Sequence, residues 1–465
     1  MTTDASSQAT DPIGLKRREL LRMSALGGGA AALGGFAFGS VAPALAAPAP
    51  NPLKGNLLFK DQAINFEALF AMGGVASGAG EVGEIIATVN AINAQGLSYQ
   101  TYVDNFIATA KRVGRIADES LKGGHRVSAR QAYLRSAQYY DQALFFVLGT
   151  RTPAHERNVY AAMQRQFNRA AQLFDPPFEA LRIPYESSYL PAYFLRPPGA
   201  RGKRPTVIIN NGSDAENIDV YAFGGAAAIE RGYNALIFEG PGQGSTLFER
   251  EIPFRPDWEK VITPIVDYLH TRSDVDTKRI AMTGWSFTGE LVIRAAAFEK
   301  RIAAICADPG SVDTWLAYPE KLRGLFDDGA TQSQVNEIWN HDIRPHLNQA
   351  ERFLFKKRAE VFAPQFLRTA RAGRVLTDFW TFGQLASQYT NRPVIDKVTT
   401  PILVTNYQLE QFYPGQATRL YRALRSPKKI VTFTIAEGSE YHDGPMAPQR
   451  RNQIVFDWFD DTLGL

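Results

Sequence analysis

Apolar side chains recur along this chain in two rhythms. From about Leu57 to Leu173 the spacing is helical. Val103, Phe106, Ile107 and Ala110 fall at i, i+3, i+4 and i+7, and Ala132, Leu134, Ala137 and Tyr140 roughly repeat it. Such spacing turns one face of a 3.6-residue helix toward a core. Gly73-Gly74 and Gly123-Gly124 read as turns between helices. The pattern predicts an all-helical domain of about 120 residues.

Beyond it the apolar residues gather into short runs. Leu181–Tyr185 and Leu190–Leu195 read as strands joined by a turn at Ser187-Ser188. Then strands Thr206–Asn210, Ala235–Phe238, Arg279–Thr283 and Ile302–Cys306 alternate with helices Val220–Arg231, Trp258–Thr271 and Ser286–Phe298. These strands are apolar on both faces, which predicts a parallel sheet covered by helices on both sides. The alternation pauses over residues 313–398 for a mostly helical insertion. It resumes with strand Ile402–Thr405, helix Gly415–Leu424, strand Ile430–Thr434 and a final helix Gln449–Leu463. The insertion carries Trp315, Tyr318, Phe326, Trp339, Phe353, Phe355, Phe379, Trp380 and Phe382. They read as lid helices packed on the core, or as the lining for an apolar, aromatic substrate.

The first residues follow neither rhythm. Lys16-Arg17-Arg18-Glu19-Leu20-Leu21 has the form of a twin-arginine export signal, and a Gly/Ala-rich apolar stretch leads to Ala44-Leu45-Ala46. Residues 1–46 are therefore expected to be a signal peptide engaged by the twin-arginine export machinery and cut after Ala46, the alternative being an uncleaved N-terminal anchor. The mature chain would be periplasmic or secreted, with no stable membrane insertion. The expected layout is a helical cap over residues 47–178 and a catalytic domain over 179–465, with a lid insertion at 313–398.

Charge and composition narrow the function. The chain has 51 Lys+Arg against 47 Asp+Glu over 465 residues, a spread-out excess that marks no nucleic-acid surface. A single cysteine, Cys306, excludes an internal disulfide framework and a Cys-based zinc site. None of the six His forms an i, i+4 pair. Neither a metal nor a cofactor is implied. Glu239-Gly-Pro-Gly-Gln-Gly-Ser245 lacks the Lys-Ser/Thr of a phosphate loop, so it reads as a rigid turn at the rim of a site.

The chemistry gathers elsewhere. Gly284-Trp285-Ser286-Phe287-Thr288-Gly289 sits between a strand and a helix, the position of a nucleophile elbow. A serine there needs a base and an orienting acid, expected in the order Ser, acid, His. Glu410 follows the first strand after the insertion, and His442 follows the last strand. Asp308, at the end of the Ile302 strand, is the competing acid. The oxyanion donors would be the backbone amides of Phe287 and Ser213, the latter in the loop Asn211-Gly212-Ser213-Asp214.

These residues, with EGPGQGS, resemble the α/β-hydrolases. GGHRVSARQAYLRSAQYY (123–140), PFRPDWEKVITPIVDYL (253–269), QFYPGQ (411–416) and FDWFDDTL (456–463) resemble one subfamily. It contains 2,6-dihydroxypseudooxynicotine hydrolase and fungal hydrolases that shorten polyketide pigment precursors. The resemblance implies an α/β-hydrolase core with a helical cap, and a Ser286–His442–acid mechanism on esters or on carbon–carbon bonds beside a ketone. The family acid is usually Asp where Glu410 stands, and its elbow usually has Gly where Thr288 stands. The expected partner is a small organic substrate, with a homodimer left open. The rival readings are a non-catalytic binding protein on the same fold and an acyltransferase.

Overall fold

The computed structural model describes residues 57–327 and 329–465. The expected signal segment, residues 1–46, and residues 47–56 of the expected cap lie outside the described residues. Five main helices come first: α1 (Gln62–Gly73), α2 (Val82–Gln95), α3 (Tyr99–Lys122), α4 (Arg126–Phe146) and α5 (Glu156–Ala171). Ser98 opens α3 with a capping box, its hydroxyl accepting from the Thr101 amide at 3.1 Å. α4 is buried on most of its surface, including Ala132, Tyr133, Leu134, Ser136 and Ala137. A helix wrapped by neighbours needs no single apolar face, which is why its periodicity is only rough.

Gly123-Gly124 is a turn, with Gly124 at φ +81°. Gly73-Gly74 is not. The chain runs there from α1 into a 3-10 turn, and a Cβ on Gly73 would lie 1.9 Å from the Pro445 carbonyl oxygen. That glycine lets α1 press against the loop beyond His442.

Eight strands form one sheet: β1 (Glu179–Tyr185), β2 (Ser188–Leu195), β3 (Arg204–Asn210), β4 (Asn234–Phe238), β5 (Val275–Trp285), β6 (Ala304–Asp308), β7 (Ile402–Tyr407) and β8 (Lys428–Phe433). Their order is β1-β2-β4-β3-β5-β6-β7-β8. β2 is antiparallel to β1 and to β4, and all other pairs are parallel. The β1–β2 turn falls at Glu186-Ser187, one residue earlier than expected, with Glu186 at φ 48°. Helices α6 (Glu259–His270), α7 (Thr288–Phe298), α12 (Gln416–Ala423) and α13 (Pro448–Leu463) accompany the sheet. This is the α/β-hydrolase fold. The expected helix Val220–Arg231 begins at Asn217 and widens into a π turn at Tyr221–Gly225. A Cβ on Gly224 would stand 2.9 Å from the Trp285 ring, so the glycine lets this run pass close to the end of β5.

Between β6 and β7 the insertion folds as α8 (Gln332–Ile338), α9 (Gln349–Ala359), α10 (Pro364–Arg371) and α11 (Phe379–Ala386), with shorter turns. Most of its aromatics pack on one another. Trp339 stacks on Phe379 with centroids 4.4 Å apart, and Phe326 stacks on Trp380 at 5.6 Å. One hydrophobic core runs without a break from Leu58 through the sheet to Leu463. Among the described residues no helix is long and apolar enough to cross a membrane.

Candidate active site

The C-terminal ends of β3, β5, β7 and β8 bring the expected chemistry together. Ser286 follows β5 directly, and α7 begins two residues later at Thr288. Ser286 sits at φ 52°, a left-handed conformation that costs a non-glycine residue roughly 1–3 kcal/mol. Its amide donates to the Asp308 carbonyl at 2.7 Å, and this bond helps hold the turn. The tightness shows at the glycines. A Cβ on Gly284 would lie 2.3 Å from the Thr288 carbonyl oxygen, and one on Gly289 2.2 Å from that of Pro309. Thr288 stands where the family's elbow usually has Gly, and its buried hydroxyl is satisfied, donating to the carbonyls of Trp285 at 2.9 Å and Asn210 at 3.3 Å.

His442 lies between the serine and the carboxylate. Its Nε2 is 2.9 Å from Ser286 Oγ, and its Nδ1 is 2.8 and 3.0 Å from the two Glu410 oxygens. Glu410 Oε1 also accepts from the Phe412 and Tyr413 amides at 2.9 and 3.0 Å. The carboxylate thus folds back over its own turn, which takes up the extra methylene of Glu. Two further bonds fix the base: Gln411 Oε1 accepts from the His442 amide at 2.9 Å, and the Leu409 amide donates to the Glu440 carbonyl at 2.8 Å. The side chains of His442 and Glu410 are 5% and 4% exposed, so their interaction is weakly screened.

Asp308 does not reach His442 as a competing acid would. Its carboxylate is buried, accepting from Tyr407 Oη at 2.6 Å, from Thr405 Oγ1 and from Arg451 Nε. Asp443, which sequence reasoning missed, stands next to the base. Its Oδ2 lies 3.4 Å from His442 Nε2, and its Oδ1 is buried with no hydrogen-bond partner among the described residues. Burial alone would lower the His442 pKa, but the Asp443 and Glu410 carboxylates raise it to about 9. Burial raises Asp443 as well. The strained backbone of Asp443, at φ 58°, is a signal that only the structure carries.

Phe287 and Ser213 line one lobe of the cavity together with Ser286. Among the described residues neither of their amides donates a hydrogen bond. Gly212 brings the loop after β3 close, since a Cβ there would stand 3.1 Å from Ser286 Cβ. The Gly-rich turn braces this loop. Gln243 Nε2 donates to the carbonyls of Asn211 at 2.6 Å and Gly212 at 2.9 Å, a role sequence reasoning did not give it. Glu239 holds the turn itself, accepting from Tyr160 Oη, Asn217 Nδ2 and Ser245 Oγ at 2.8, 2.9 and 2.6 Å.

The serine stands between two lobes. The larger, about 810 Å³, runs under α1 and α4, with Phe66, Phe70, Phe145 and Trp285 among its walls. The smaller, about 600 Å³, runs under the insertion beside Tyr318, Phe362 and Tyr413. Arg358 and Phe412 border both. Of the insertion aromatics singled out in the sequence, only Tyr318 lines either lobe.

Comparison with known proteins is consistent with this geometry. Residues 145–438 match the family model described as X-Pro dipeptidyl-peptidase (S15 family). The chain is 35% identical over 441 residues to Hydrolase ORFZ of Pyricularia oryzae, covering 88% of this chain and 98% of that one. It is 33% identical over 433 residues to Alpha/beta hydrolase psoB of Aspergillus fumigatus, covering 88% and 95%. Among solved structures it is similar to 2,6-dihydroxy-pseudo-oxynicotine hydrolase. The TM-score is 0.60 at 19% identity, covering 84% of this chain and 95% of that one, a likeness of fold.

Proposed function

The chain belongs to the α/β-hydrolase family and is a hydrolase, and on that premise we propose that it uses Ser286, His442 and Glu410 as a catalytic triad. Its substrates would be organic esters, or ketones cleaved at the adjacent carbon–carbon bond. A fold alone supports no reaction, so the reading rests on the site. The observation that carries it is His442, with Nε2 2.9 Å from Ser286 Oγ and Nδ1 2.8 Å from Glu410.

In this mechanism His442 Nε2 takes the hydroxyl proton as Ser286 Oγ attacks the substrate carbonyl carbon. Glu410 holds the tautomer through Nδ1–H and stabilises the imidazolium. The carbonyl oxygen becomes an oxyanion, received by the amides of Ser213 and Phe287. As the intermediate collapses, the leaving group takes the electron pair of the breaking bond and the proton from His442. It departs as an alcohol from an ester, or as a ketone or its enol from a carbon–carbon bond. His442 then deprotonates water, which attacks the acyl carbon and releases an acid while Ser286 regains its proton.

Fluorophosphonate treatment should add one label to the wild type and none to Ser286→Ala, read by intact mass. A label on another serine, or full activity in Ser286→Ala, would overturn the mechanism. A panel of alkyl esters, β-diketones and an X-Pro anilide separates ester, carbon–carbon and peptide-type cleavage. Export by the twin-arginine route belongs to the same proposal, supported by Arg17-Arg18 and Ala44-Leu45-Ala46. N-terminal sequencing of exported protein should find Ala47, and export unchanged by Arg17→Lys with Arg18→Lys would reject that route.

A further inference from the structure

The wall of the larger lobe has polar groups that the triad mechanism leaves unused. Glu67 stands on α1 within an otherwise apolar stretch, Phe66-Glu67-Ala68-Leu69-Phe70. It lines the lobe that contains Ser286 and His442, and its carboxyl makes no hydrogen bond to any described residue. A polar group held in an aromatic wall without a partner is costly unless a ligand or water satisfies it. Arg358 reaches the same lobe from α9 and also borders the smaller one. Its bonds to Asp214 and to Ser213 Oγ both leave from Nη1. Among the described residues nothing accepts from its other guanidinium nitrogens, and neither of them is a buried unsatisfied atom. Those donors therefore open on the cavity.

We propose that Glu67 and Arg358 together bind a second oxygen of the substrate, a carbonyl on the acyl chain, so that the site prefers oxo-acyl substrates to plain acyl ones. This rests on Ser286 being the nucleophile. It adds that the first helix of the chain and the insertion each contribute a specificity-determining residue.

The charges around the lobe favour a neutral acceptor. Arg358 is matched by Asp214, Arg451 by Asp308, and Lys357 by Glu360 at 2.8 Å. No unmatched cation remains among them to hold a carboxylate. Burial, and then the Asp214 charge, push the Glu67 carboxyl up to about 8. At neutral pH it carries its proton and can donate it to a carbonyl oxygen. Arg358, His442 and Lys357 act on it in the opposite sense, the Glu67 charge in turn raises the Tyr102 hydroxyl, and Asp141, Asp219 and Asp443 line the same lobe. The lobe's other carboxyl pair, Asp141 and Asp219, is already served by Gln138, whose Nε2 donates to them at 3.4 and 2.8 Å, and by the Glu216 amide, which donates to Asp219 at 2.9 Å. The aromatic walls take the apolar remainder of the chain.

The test uses p-nitrophenyl esters in matched pairs, butyrate against acetoacetate and valerate against levulinate. Each pair differs by one oxo group, placed nearer to or farther from the scissile carbonyl. In the wild type at neutral pH, at least one oxo ester should exceed its parent in kcat/KM about tenfold, the worth of a hydrogen bond to a buried group. Glu67→Ala, which strands no partner, should bring that ratio close to one. Glu67→Gln keeps an N–H donor and should restore it. Arg358→Met should also lower the ratio, and Arg358→Lys provides a folded comparison if the loss of the Asp214 partner unfolds the methionine variant. As pH rises through about 8 the wild-type ratio should fall, while that of Glu67→Gln stays level. The His442 titration cancels in each ratio because both esters use the same base. Ratios near one for both pairs in the wild type overturn the proposal while leaving the serine mechanism standing. So does a preferred ω-amino ester, because a cation would call for an ionised Glu67. Failure to hydrolyse any ester, together with no fluorophosphonate label, overturns the nucleophile and the proposal with it.

Discussion

Two carboxylates end neighbouring strands of the sheet and meet different partners. Asp308 closes β6 and is buried against Arg451, Tyr407 and Thr405. Glu410 follows β7 by three residues and faces His442 with the Phe412 and Tyr413 amides behind it. Both stand near the elbow, and Asp308 even accepts the Ser286 amide through its carbonyl. What separates them is the cation each can reach. Arg451 keeps its charge throughout the working pH range, so its partner is locked into an ion pair. In the proposed mechanism His442 gains and loses its proton, so its partner can respond to each step. Strand-end position nominates an acid, and the residue across from it decides what the acid does.

The largest expected effect breaks the Glu410 side of this comparison. Glu410→Gln leaves the shape intact but removes the charge that holds the imidazolium, and its amide can force the wrong tautomer. We expect kcat to fall on the order of 10³–10⁴. Asp308→Asn should cost far less in kcat, measured on the same substrate. The reverse ranking would exchange their roles.

Stability should show the mirror image. Asp308→Asn leaves Arg451 buried without its counter-charge, a loss of about 3–5 kcal/mol in denaturant unfolding. The double replacement Asp308→Asn with Arg451→Met should recover part of that loss. Glu410→Gln should change stability by much less.

How far these roles could be read from the chain follows from the same contrast. That Ser286, Glu410 and His442 meet was legible because each follows a strand and they occur in a fixed order. The strands themselves were legible as short apolar runs, though β6 lies two residues later than expected, at Ala304–Asp308. That shift places Asp308 inside the sheet. The side partners were not legible. Arg451 lies on α13, where a basic residue reads as a solvated helix face, yet it is 2% exposed. Asp443 adjoins His442 in sequence, but nothing in that adjacency says that its carboxylate turns toward Nε2. Glu67 did leave a trace, a lone charge among apolar neighbours on a helix with no polar face. Gln243 left none, because its work is to bond the carbonyls of a loop more than thirty positions away.

A smaller effect sharpens what the histidine's surroundings contribute. The free base must be neutral to accept the serine proton, so activity is lost as pH falls through its pKa. The Asp443 and Glu410 carboxylates hold that pKa up at about 9 against the lowering effect of burial. Removing the Asp443 charge lowers it, so the acidic limb of the kcat/KM profile should move to lower pH in Asp443→Asn, by about one unit. His442 and Asp443 face each other closely enough for the limb to report the pair rather than one residue. A limb that stays in place would mean that Asp443 carries its proton across the working range and exerts no charge on the base.

The smallest effect concerns Thr288, at the start of α7. Its hydroxyl bonds the carbonyls of Trp285 and Asn210 and so ties the end of β5 to the end of β3. The close approach of α7 to the β6 loop is supplied one residue later by Gly289. Thr288 is therefore an internal brace rather than an obstruction. Thr288→Ser keeps the hydroxyl and should be nearly silent. Thr288→Ala strands no charged group and should cost about 1 kcal/mol of stability, the typical net worth of one buried hydrogen bond. Thr288→Gly should cost more, since glycine adds conformational freedom to the unfolded chain as well as losing the bond. If glycine instead stabilises the protein and raises kcat, then the elbow is crowded by Thr288 and the hydroxyl bonds only offset that crowding. Denaturant midpoints for the three variants, with kcat on one ester, distinguish a brace from an obstruction.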